Sequence, residues 1–161
     1  MDLALVAEHM QSLLGEEAVL LSQLEGLLDR ETEALKADDL AVIEHIGHER
    51  HRCIESLMRI DSERSVACRM LGLADGRTQF EQLLDRCDAS GWLKSRWLAG
   101  LEIAARCKDR NERNGAVVSA KLRRVEALLM TVRGGQNSVA PVYASSGQRG
   151  LAARGLELGC A

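Results

Sequence analysis

From Leu3 to Ala34 the chain sets an apolar residue at every third or fourth position, through Leu3, Val6, Met10, Leu13, Leu20, Leu24, Leu27 and Ala34. Only Glu17 and Glu31 break the series. A 3-4 spacing kept up over this length specifies a long amphipathic helix and excludes the period-two alternation of a strand. Beside it run Ala7, Leu14, Leu21, Leu28 and Leu35 at heptad intervals, which widens the stripe to a face that can touch two neighbours. That width predicts a bundle of three or more helices. Composition agrees: 46% of the 161 residues are hydrophobic but only 2% aromatic, and the apolar mass is 25 Leu and 20 Ala against 15 Ile plus Val. Strands need the β-branched and aromatic residues that this chain lacks.

Asp38 and Asp39 offer a cap for a second helix, whose seam reads Ile43, Ile46, Arg50, Cys53, Leu57, Ile60, Arg64, Ala67 and Leu71 before Gly72 ends it. The connection is short, so the helices predicted over about 2–36 and 39–71 are antiparallel neighbours. Arg50 and Arg64, at seam positions, either snorkel past their apolar stems or pair with acids of the first helix. Thr78 with Glu81 reads as a capping box for a short helix over 78–88 that carries Phe80, Leu83, Leu84 and Cys87. A third long helix is predicted over 91–133, with its seam at Trp97, Leu101, Ala104, Lys108, Asn111, Gly115, Val118, Leu122, Val125, Leu129 and Val132. Its polar middle contains Asn114-Gly115, a hairpin-turn signal, but no strand pattern flanks the pair and the helix is kept through it. Asn111 and Asn114 either fix register from buried positions or face solvent.

The expected fold is all-α: an elongated antiparallel three-helix bundle over 1–133, long helices with a short connector helix, and a flexible C-terminal tail over 134–161. The tail holds six of the 14 glycines, the one proline and a single acid, too little apolar content to order itself. Its scattered apolar residues suit either short docking segments or a dispensable terminus.

Charge is graded along the chain. Residues 1–40 carry 10 acids and 2 bases, whereas residues 92–133 carry 4 acids and 10 bases. Long helices of opposite charge packed side by side explain this more simply than a nucleic-acid footprint, because the basic run Arg110, Arg113, Lys121, Arg123 and Arg124 lacks stacking aromatics. Five cysteines at irregular spacings imply a reducing compartment and no zinc knuckle. The stretch Met1–His9 has no basic n-region, and Glu8 and His9 interrupt its apolar run, so a cytoplasmic protein without membrane insertion is expected.

His45, His48 and His51 crowd one stretch, and Glu44, His48 and His51 share a helical face. The spacing matches neither a helical zinc site nor a di-iron bundle, so a polar helix face is the better reading and no metal or cofactor is expected. Phosphate cradles and nucleophile triads are likewise missing, and nothing argues for an enzyme.

The order of features carries a resemblance. Leu24-x-x-Leu27-Leu28-x-x-Glu31-x-Glu33-Ala34-Leu35 leads through Asp38-Asp39-Leu40 to a second helix, followed by a Trp-bearing connector, Asn111-x-x-Asn114-Gly115 and a tail with Tyr143 and Gly147. Over about residues 5–147 this resembles the FlgN family of flagellar type III secretion chaperones, with Asn-x-x-Asn-Gly the most specific element. The resemblance implies a cytoplasmic export chaperone that holds hook-filament junction proteins of the FlgK and FlgL kind and contacts an export-gate protein of the FlhA kind. It further implies a client groove at Leu122, Val125, Leu128, Leu129 and Val132, and a gate-docking role for Tyr143. Competing readings are a structural coiled-coil protein that self-assembles and a nucleic-acid adaptor using the basic third helix.

Overall fold

The computed structural model describes residues 3–74 and 76–136. They form α1 (Leu3–Ala37), α2 (Leu40–Met70), α3 (Arg77–Cys87) and α4 (Trp92–Gln136), with no strand among the described residues. The all-helical class therefore stands. The chain divides into two compact units, Met1–Arg124 and Val125–Ala161. The first contains α1 to α3 and most of α4; the described part of the second is the C-terminal end of α4.

Local chemistry sets the helix ends. Asp38 takes the left-handed conformation at φ 56 as the Asp39 amide folds back onto the Ala34 carbonyl at 3.1 Å. The Asp39 carboxylate then accepts from the Val42 amide at 3.1 Å and caps α2. At the other end of α2 the Leu73 amide reaches the Cys68 carbonyl at 2.9 Å, a closure that needs positive φ and finds it at Gly72, φ 70. α3 departs from the expected capping box. It starts at Arg77 behind Gly76, with no side-chain cap, and Glu81 accepts from Arg77 Nε at 3.0 Å instead. Thr78 lies inside the first turn, too late to cap it. Asp88 closes the loop into α4 by accepting from the Ser90 amide at 2.8 Å and the Leu93 amide at 2.9 Å.

One core cluster joins Val6, Met10, Leu13 and Leu14 of α1 to Ile60, Ala67 and Cys68 of α2, Phe80, Leu83 and Leu84 of α3, and Leu93 and Trp97 of α4. A second gathers Leu27, Ala34, Ile46 and Cys53. Each buried Leu or Ile contributes roughly 1.5–3 kcal/mol through apolar area removed from water.

Between the apolar layers lie two polar ones, and these explain the four breaks in the seams. Arg64 donates to the buried Glu17 at 2.5 Å, and Arg50 donates to the buried Glu31 at 3.1 Å. Both arginines pair with acids of the first helix, as one of the two sequence readings had it. The acids stand two heptads apart on α1 and the arginines two heptads apart on α2, in opposite order, so these helices run antiparallel through their contact. The Arg64 guanidinium also lies over the rings of Trp97, 4.6 Å from the centroid, and Phe80, at 5.4 Å.

α4 packs in a phase different from the expected seam. Its buried positions are Leu93, Trp97, Gly100, Cys107 and Asn114, while Lys108 and Gly115 are exposed. A strict heptad through 93, 97, 100, 104, 107, 111 and 114 wins, and its small and polar members conceal it from a hydrophobic pattern.

Candidate functional site

Asn114 is the polar centre of α4. It is buried, its Nδ2 donates to the Leu28 carbonyl at 3.0 Å and to Glu31 Oε2 at 2.9 Å, and its Oδ1 accepts from the Thr32 hydroxyl at 2.8 Å. Every hydrogen-bonding group of the amide is thereby satisfied. Asn111 is exposed but accepts from Arg50 at 3.1 Å, so the two asparagines meet the Glu31–Arg50 pair from one side. The third member of the motif, Gly115, faces away: a Cβ there would meet nothing within 4 Å.

The acids of α1 also hold the bases of α4. Glu25 accepts from Arg106 Nε at 2.7 Å and from Arg110, and Asp29 pairs with Arg110 at 2.8 Å. These hydrogen bonds, led by that of Arg106, hold the Glu25 carboxyl at about 2, against a burial that pushes the other way. Further along, Lys121 meets Asp38 at 2.5 Å. The opposite charges of the first and last long helices thus neutralise each other within the chain.

Beyond Lys121 the character of α4 changes. Leu122, Val125, Leu128, Leu129 and Val132 are all between 50% and 63% exposed, and no described residue after Asn114 is buried. Val125, Leu128 and Val132 follow one another at heptad spacing and are exposed, so they form an uncovered apolar stripe. Arg123, Arg124 and Arg133 stand along it with one acid, Glu126. Of the expected site residues, the structure joins Asn111 and Asn114 in one network and sets the five apolar ones along one stretch of helix. Tyr143 and the expected tail from 137 onward lie outside the described residues; residues 134–136 belong to α4.

The histidines do not converge. His45 pairs with Glu49 at 3.7 Å and His51 with Glu55 at 3.3 Å, each within one turn of α2. Among the described residues no three metal-binding side chains come together, and no helix is long and apolar enough to cross a membrane. Sequence reasoning missed the partnership of Thr32 and Glu31 with Asn114. The signal was present in the equal two-heptad spacing of Glu17 and Glu31 and of Arg50 and Arg64, which marks layers that a third helix must also satisfy.

Fold and site define a class: an all-helical protein with polar layers in its core and an uncovered apolar face on its last helix. Residues 1–150 match the FlgN protein family, and the chain belongs to that family, one of chaperones of flagellar export. No curated protein and no solved structure matches it.

Proposed function

We propose that this chain is a cytoplasmic export chaperone that holds a terminal helical segment of FlgK- or FlgL-like junction proteins on the α4 stripe and delivers it to an FlhA-like export gate. The observation that carries the reading is the exposed series Leu122, Val125, Leu128, Leu129 and Val132. An amphipathic client helix fits it by the same i, i+3, i+4 packing that builds the chaperone's own core. Each Val or Leu side chain so covered is worth roughly 1.5–3 kcal/mol before the cost of association. Arg123, Arg124 and Arg133 favour a client helix with acidic flanks. The same reading takes α1, α2 and α4 as an antiparallel three-helix bundle, in keeping with the ion pairs that tie α1 to both others. With Arg106, Arg110 and Lys121 engaged by acids of α1, the chain needs no nucleic acid to balance its basic helix. Tyr143 is assigned to gate docking.

Calorimetry with a purified junction-protein terminal segment tests the reading. The chain binds it, Val125→Asp with Leu128→Asp weakens binding at least about 100-fold, and Tyr143→Ala leaves client binding intact while weakening capture of the gate protein. Absence of binding by the unaltered chain, or full binding by the double variant, would end the proposal.

A further inference from the structure

Leu128 and Leu129 are neighbours in sequence and project about 100° apart around α4. Both are exposed, at 59% and 50%, and they stand on either side of the line from Val125 to Val132. A two-stranded seam takes only the 3-4 series Val125, Leu128 and Val132 and leaves Leu129 beside it.

The same spacing occurs in α1, where its use is visible. Leu24, Leu27, Leu28 and Glu31 follow one another as Val125, Leu128, Leu129 and Val132 do. There the two consecutive leucines serve different neighbours. Leu27 packs with Ile46 and Cys53 of α2. The row of Leu28 and Leu21 meets α4: the Leu28 carbonyl accepts from Asn114 at 3.0 Å, the Leu21 carbonyl accepts from the Cys107 thiol at 3.7 Å, and a Cβ on Gly100 would lie 3.7 Å from Leu21 Cδ1. A helix with apolar rows of this spacing is built to meet two others, whereas a strict seam meets one.

We propose that the α4 stripe holds two helical segments of the client side by side, one over Leu128 and the other over Leu129, with Val125 and Val132 beneath the line where they meet. The proposal rests on the client reading and adds a second segment to it. Charge sets the two positions apart. Arg124 borders the Leu128 side, whereas Glu126 and Arg133 border the Leu129 side. The first position therefore favours a segment with acids along its flank, and the second favours one that turns an acid to Arg133 and a base to Glu126. The borders differ, so the pair is of unlike segments and not of one segment twice. Because both belong to one client, the second binds at the high effective concentration set by the chain that joins them.

The test is calorimetry of the full chain with the N-terminal segment of a junction protein, with its C-terminal segment, and with one added to the chain saturated by the other. At least one segment binds alone, and its dissociation constant falls at least about 10-fold when the other is present. Leu129→Asp removes this gain, while binding of a single segment through Val125, Leu128 and Val132 stays within about 5-fold and circular dichroism is unchanged. Met130→Asp, on the far side of the helix and 75% exposed, alters neither. No gain from the second segment, or a gain that survives Leu129→Asp, would overturn the proposal and leave the client reading in place. So would light scattering that finds two chains for each segment, with a second copy in the other position. Absence of binding by either segment would remove the client reading itself, and the two-segment site with it.

Discussion

Glu25 is bonded by two guanidinium groups, Arg106 and Arg110, while its side chain stays 20% exposed. With its pKa held at about 2 in the folded chain against 4.5 for an unperturbed carboxyl, its contribution is full above about pH 4.5 and is lost as pH falls towards about 2. Glu25→Gln is expected to cost on the order of 2 kcal/mol at neutral pH, the solvent-facing side of the cluster screening part of it. Urea unfolding of both proteins along a descending pH series checks this: the gap closes between about 4.5 and about 2, and a gap that stays constant would show that Glu25 acts through packing. At this scale the sequence was readable where a charge interrupts an apolar series. Glu17, Glu31, Arg50 and Arg64 stand out in their seams, and all four are paired. Asn114 was not readable, because Lys108–Gly115 holds too few apolar residues to fix which of its faces points inward.

Among the helices, the two polar layers work as registers. A buried ion pair contributes little net stability but makes a wrong alignment expensive, since any slip strands a charge away from water. In the lower layer Arg64 serves three elements at once: Glu17 of α1, Phe80 of α3 and Trp97 of α4. Arg64→Ala leaves Glu17 buried without its counter-charge and is expected to cost about 3 kcal/mol, with a change in Trp97 emission as the cation above its ring is removed. Replacing both members, Glu17→Gln with Arg64→Met, is expected to cost less than Arg64→Ala alone, and a double-mutant cycle in urea measures the difference. The helices themselves were legible because their apolar series are long. The phase of α4 was not, since Gly100, Cys107 and Asn114 are its buried positions after Trp97 and none is a large apolar residue.

For the whole molecule, the proposed client reading allots stability and partner binding to different stretches of chain. Both core clusters, both polar layers and the Glu25 network fall within Met1–Arg124, and Lys121 makes the last ion pair between α4 and α1 among the described residues. Four of the five proposed client residues, Val125, Leu128, Leu129 and Val132, come after Arg124 and are exposed. Exposed side chains remote from any core change stability by no more than about 0.5 kcal/mol each. A chain ended after Arg124 should therefore melt cooperatively within a few degrees of the full protein, keep its near-ultraviolet signal from Trp97, and fail to bind a junction-protein segment. Thermal melts and calorimetry of the shortened chain separate the possibilities. Loss of folding would mean that residues after Arg124 contribute to the core, whereas retained client binding would move the client surface back into the body of the protein.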